Sequence, residues 1–132
     1  MPIEAIQLRG EKLLDQTFVV RGGARSLDSD LLLRASELTR KRWGFDGISV
    51  FEAPDGDLLA LSRRLRSVAE RPIVRTAPAG VLRRQGFPLF DTGSDLHWTI
   101  VLADTQPATL ERLRACFTEP VSNPGYLLRP NR

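Results

Sequence analysis

The sequence predicts one small α+β domain, or a mixed-sheet α/β domain, of about six strands with three to four helices packed on the sheet. Three observations carry that expectation. Short β-branched and aromatic runs, such as Thr17–Arg21 and Leu96–Leu102, recur between stretches whose apolar residues have helical spacing. The two kinds of element follow one another irregularly, unlike the strict β-then-α rhythm of a doubly wound sheet. At 132 residues, with 42% hydrophobic and 27% charged residues, the chain can build a single core without staples.

Taken in order, Ile3–Leu8 and Thr17–Arg21 read as strands, the second running into Gly22-Gly23. A first helix follows: Asp28 stands at the N-cap position and Asp30 favours its positive end. Leu31, Leu32, Ala35 and Leu38 form its apolar stripe, Arg40-Lys41-Arg42 load its last turn, and Gly44 ends it. Gly47–Phe51 is a strand. Asp55-Gly56-Asp57 opens a second helix carrying Leu58, Leu61, Leu65 and Val68 on one side, with Pro72 as its stop. Ile73–Thr76 is a short strand, Pro78–Gln85 a brief helix closed by Gly86, and Phe87–Phe90 extended. After the Leu96–Leu102 strand, Thr105 is expected to cap a helix over Pro107–Phe117, with Leu110, Leu113 and Phe117 inward. The segment 118–132, with its prolines, is expected to be an extended tail of the same domain.

Composition narrows the function classes. The lone Cys116 allows no internal disulfide and reads as a small core filler, and one Cys with one His cannot supply a four-ligand zinc site, so no metal is expected. No apolar run approaches the roughly 20 residues that cross a bilayer, and the first residues lack the pattern of a secretory signal, which points to a cytoplasmic protein with no membrane partner. Seventeen of the 19 basic residues are arginine, in keeping with a GC-rich bacterial source. Charge is uneven: residues 1–62 hold 8 basic and 10 acidic groups, whereas 63–132 hold 11 and 6. In the stretch 63–84, Arg63, Arg64, Arg66, Arg71, Arg75, Arg83 and Arg84 face only Glu70. Such a cluster suits an anionic partner, RNA above all, or forms the solvated faces of two helices.

The chemistry-bearing positions are few. His97 is the only histidine, and strand alternation sets His97, Thr99 and Val101 on one face with Leu96, Trp98, Ile100 and Leu102 on the other. A histidine can move a proton near neutral pH while an adjacent hydroxyl holds a phosphate oxygen. The segment Leu96–Ile100 resembles the strand-borne His-x-Thr motif of two-histidine phosphoesterases, which act on cyclic phosphodiesters and RNA ends. In the counterpart stretch Gly47-Ile48-Ser49-Val50, glycine stands where the second histidine belongs.

Arg21-Gly22-Gly23 is similar to the opening Arg-Gly of ADP-ribosyltransferases, in which an arginine on an early strand grips NAD. Ser49 stands for the serine of their second motif, and the glutamate of the third, on a late strand, has no counterpart. Aromatic residues beside cations, notably Trp43 after Arg40-Lys41-Arg42, can stack nucleobases or simply fill the core. Tyr126, in the turn Ser122–Tyr126, can reach a site or dock the tail.

Three functions from different classes fit these residues. The first is metal-independent phosphodiester cleavage of RNA, as the toxin or effector of a bacterial toxin–antitoxin or defence pair, requiring no cofactor. There His97 is the acid–base residue, Thr99 and Arg21 stabilise the phosphate, and Arg63, Arg64, Arg75, Arg83, Arg84, Ser49 and Tyr126 contact substrate. The second is an ADP-ribosyltransferase-like NAD enzyme using Arg21 and Ser49. The third is a non-enzymatic binding module, an antitoxin, immunity protein or adaptor, with His97 structural and the arginines facing a partner from the same operon.

Overall fold

The computed structural model describes residues 13–53, 56–92 and 96–126. Within them the chain is an α+β domain with six strands and five helices. The strands are β1 (Phe18–Gly22), β2 (Gly47–Ala53), β3 (Ile73–Pro78), β4 (Leu89–Asp91), β5 (His97–Val101) and β6 (Val121–Ser122). They form one sheet in the order β4-β5-β2-β1-β3-β6, every neighbour antiparallel. The expected strand Ile3–Leu8 lies outside the described residues. The sixth strand seen is instead β6, where the expected tail returns to pair Val121 with Val74 and Ser122 with Ile73.

The helices are α1 (Ser29–Trp43), α2 (Leu58–Arg64), α3 (Arg66–Ala69), α4 (Ala79–Arg84) and α5 (Pro107–Ala115). Both faces of the sheet are covered. Val19, Ile48, Val50, Trp98 and Ile100 point to one face, where Leu32, Leu82, Leu110, Leu113 and Phe117 complete the larger core. Val20, Ala53 and Val74 point to the other, beneath Leu61 and Val68. Burial on both sides is why β2 reads as a nearly continuous apolar run with only Ser49 and Glu52 polar. Cys116 is buried in the larger core, its thiol donating to the Arg112 carbonyl and its pKa pushed up by burial.

Several local expectations change. The second helix is broken at Leu65, whose extended backbone (φ −123°, ψ 110°) separates α2 from α3, and helix ends at Ala69, three residues before Pro72. Asp28 occupies the N-cap of α1, but its carboxylate pairs with Arg25 at 2.7 Å and caps no helical N–H. The cap of α5 is Gln106, not Thr105. Asp104 Oδ1 accepts from the Gln106 N–H at 2.9 Å and from the Thr109 hydroxyl, tying down the first turn and holding the Asp104 carboxyl below its usual range. Gly44 behaves as expected: at φ 85° it takes the left-handed conformation open to glycine, and its N–H closes α1 on the Arg40 carbonyl.

Candidate functional site

The site begins where the sheet opens. β1 pairs with β2 only from Phe18↔Ala53 to Val20↔Phe51, while β1 continues along β3 to Gly22↔Val74 and β2 continues along β5 to Gly47↔Val101. Beyond Val20 the two central strands therefore part. α1 lies over β2 at this end: the Gly47 N–H donates to Ser36 Oγ at 3.1 Å, and that hydroxyl donates to Asp46. A cavity of about 480 Å³ occupies the opening. Its walls come from β1 (Arg21), β2 (Ser49, Phe51), β5 (His97, Thr99), Thr92 after β4, and the C-terminal half of α1, including Arg42 and Trp43.

His97 enters this cavity from the first position of β5. It lies directly opposite Phe51, and the two rings meet edge to face at 5.3 Å. The residue before it, Leu96, has φ 59°, a left-handed conformation that costs a leucine about 1–2 kcal/mol. Its carbonyl is fixed by the Glu52 N–H at 2.7 Å, so the strand begins one residue later than its hydropathy suggests. His97 Nδ1 makes a short hydrogen bond with the Thr92 hydroxyl, which in turn accepts from the Thr99 hydroxyl at 3.2 Å. A proton from Thr92 to Nδ1 completes this chain and puts the imidazole proton of the neutral ring on Nε2. Burial, reinforced by the charge of Arg42 and opposed by Asp91, lowers the His97 pKa from its ordinary 6.5. His97 is thus neutral at pH 7 and has the form of a base.

Arg21 spans the gap in the sheet. Its Nη1 donates to the Ser49 carbonyl at 2.8 Å and its Nε to the Ser26 carbonyl at 3.4 Å. Burial first, and the charge of Arg71 second, lower its pKa, although a guanidinium remains charged at any physiological pH. No carboxylate among the described residues pairs with it. Asp28 pairs with Arg25 and Glu70 with Arg66. A partly buried cation therefore faces the cavity.

The structure brings together five residues singled out in the sequence: His97, Thr99, Arg21, Ser49 and Trp43. It changes the role open to Thr99, which is 1% exposed and hydrogen-bonded to Thr92, so Thr99 acts on His97 through Thr92. Arg63, Arg64, Arg75, Arg83, Arg84 and Tyr126 do not line this cavity. Arg75 donates to the Thr118 carbonyl at 3.1 Å, and Arg83 pairs with Asp15 at 2.7 Å. Thr92 escaped the sequence reading, and Arg42, named there only as a helix-end charge beside Trp43, also lines the cavity. Treating Phe87–Leu102 as one hairpin would have found Thr92, because the Asp91↔Trp98 register sets it beside His97. Glu52, the acid three residues after Ser49, points to the opposite face and accepts from Trp98 Nε1 at 3.1 Å.

No family model, curated protein or solved structure matches this chain. The geometry itself bears on the two-histidine resemblance. A Cβ added at Gly47 would stand 2.7 Å from Thr99 Cγ2 and 2.8 Å from the Ile100 carbonyl oxygen. The position that would carry a second histidine has no room for any side chain.

Proposed function

We propose that this protein is an ADP-ribosyltransferase-like enzyme that takes NAD as substrate, with Arg21 holding the diphosphate and His97 acting as the base. The observation that supports the reading is the meeting of Arg21 and Ser49 on parting strands, in one cavity with neutral His97, while Arg21 has no acidic partner among the described residues. The number of proton-transfer groups favours a glycosidic bond over a phosphodiester. Cleaving a phosphodiester calls for a base on the nucleophile and an acid on the departing oxygen. Nicotinamide leaves its ribose as a neutral molecule and needs no acid. One base, to take the proton of the incoming water or hydroxyl, suffices, and the cavity offers one imidazole.

The test is direct. NAD is expected to raise the melting temperature, since a ligand bound only by the folded chain stabilises it, and nicotinamide is expected to appear in solution. Arg21→Ala abolishes the stabilisation, whereas His97→Gln keeps it and loses turnover. Absence of both NAD stabilisation and nicotinamide release defeats the reading.

A second reading, metal-independent RNA cleavage with His97 as base and Arg21 as phosphate ligand, is favoured by Arg42, a second cation beside the imidazole. Cleavage of RNA in the presence of chelator, lost in His97→Gln, would put it first. In either case the proposed setting is a bacterial toxin or effector. Growth arrest on induced expression, relieved by Arg21→Ala at matched protein level, is the cellular counterpart of the test.

A further inference from the structure

Behind the main cavity, Arg21 also lines a smaller pocket of about 180 Å³, which it shares with Arg71, Ser49 and Ser67. Two arginines line the same pocket, and the charge of Arg71 adds to burial in lowering the Arg21 pKa. Arg71 has no hydrogen-bonded or ion-paired partner for its guanidinium among the described residues, and neither do the hydroxyls of Ser49 and Ser67. The arrangement is built, not accidental. The stem of Arg71 crosses β1 at Gly22, where a Cβ would come within 2.5 Å of Arg71 Cγ. Its backbone is anchored from the far end of the chain, because Asn123 Nδ2 donates to the carbonyls of Val68 and Arg71, both at 3.0 Å.

Arg71 is exposed and Arg21 partly buried, and two cations lining one pocket favour an anion placed between them. Planar guanidinium forks and hydroxyl donors are the groups that recognise tetrahedral oxyanions. We infer that this pocket is a phosphate site, with Arg21 and Arg71 clamping the group and Ser49 and Ser67 donating to its remaining oxygens. Its ligand class is a phosphorylated small molecule or nucleotide. Arg21, Ser49 and Phe51 are common to both cavities, so the rest of such a ligand extends toward His97. That last step rests on the reading of the main cavity as a substrate site, while phosphate binding itself does not.

Inorganic phosphate is the probe, titrated into the full chain by calorimetry and thermal shift with ionic strength held constant by chloride. Saturable binding with a rise in melting temperature is expected. Arg71→Gln should weaken it about tenfold or more, the cost of losing a charge-assisted contact. The melting temperature of that variant without phosphate should stay level or rise, because the repulsion is gone. Ser67→Ala, an exposed change, should weaken binding by a smaller factor, and Arg84→Gln, outside both cavities, should leave it unchanged. No saturable binding, or wild-type binding by both Arg71→Gln and Ser67→Ala, overturns the inference. A protein that binds phosphate here but releases no nicotinamide keeps this site and loses the NAD reading. One that releases nicotinamide but ignores phosphate does the reverse.

Discussion

Arg21 Nη1 donates to the Ser49 carbonyl at 2.8 Å across the point where β1 and β2 stop pairing. A side chain thus replaces a rung of the backbone ladder, and the same cation that holds the sheet together at its opening faces the cavity. Removing it deletes a charge-assisted hydrogen bond worth about 1.5–3 kcal/mol. The relief of taking a charge out of a partly buried site next to Arg71 offsets part of that. Arg21→Ala is therefore expected to lower stability by a net of about 1 kcal/mol, read from urea denaturation. A variant as stable as the wild type would show that the bridge holds nothing together.

Stability should depend on pH through His97 in a defined direction. Burial, with Arg42, keeps its folded pKa below the ordinary 6.5. Below 6.5 and down to the folded value, the unfolded chain therefore binds more protons than the folded one, and stability rises with pH across that window. The contribution is fully present above 6.5 and is lost as pH falls through the folded value. Urea midpoints measured above and below 6.5 should differ more for the wild type than for His97→Gln. An unchanged difference would mean that the imidazole titrates as it does in the unfolded chain.

Arg42 and Asp91 act on His97 with opposite sign, and burial acts more strongly than either. Because His97 is the only histidine, its ring protons report its titration by NMR without assignment ambiguity. Arg42→Gln should raise the pKa yet leave it under 6.5, since burial persists, and Asp91→Asn should lower it further. If Arg42→Gln does nothing, the two groups do not share the cavity.

Much of the framework was legible because it rests on local signals. The alternation of faces in His97–Val101 and Gly44 at the end of α1 each carry their own physics, and the structure repeats them; the expected stripe of α1 holds only in part, since Leu32 is buried but Leu38 is exposed and Ser36 is the other buried residue. The break at Leu65 had no such mark, since Leu58, Leu61, Leu65 and Val68 keep helical spacing across it. β6 was hidden because two residues of strand exist only through pairing with β3. For the site, His97, Thr99, Arg21 and Ser49 were readable as residue types on strands. Their convergence was not, because it depends on sheet order and on β1 parting from β2. The arginines of 63–84 misled in the other direction: a charge count carries no orientation, and of that group Arg71 shares a pocket with Arg21, while Arg75, its cross-strand partner, turns to the Thr118 carbonyl.

Gly47 is the tightest position next to the site. With Thr99 Cγ2 at 2.7 Å, the Ile100 carbonyl oxygen at 2.8 Å and Thr39 Cγ2 at 3.2 Å from an added Cβ, any side chain must displace β5 or α1. Gly47→Ala is expected to cost about 1–3 kcal/mol, as overpacking of a filled core does. It should also disturb the His97 ring resonances, because Thr99 leads through Thr92 to Nδ1. Normal stability would show that the strands can separate there at no cost.

Asn123 joins the C-terminal segment to the body of the fold more firmly than a turn residue would. It is 5% exposed; its Nδ2 donates to the carbonyls of Val68 and Arg71, its Oδ1 accepts from Ser62 Oγ and the Gly125 N–H, and its own N–H donates to the Pro72 carbonyl. Asn123→Ala strands those buried partners, a loss of about 2–4 kcal/mol at the cost of an unsatisfied group for each main contact. Asn123→Asp should be worse despite its equal size, because it turns both donors into a carboxylate oxygen facing two carbonyls. Chemical denaturation of the two variants decides the point: the order alanine above aspartate follows from hydrogen-bond polarity, and the reverse order would mean that the side chain contributes by filling space alone.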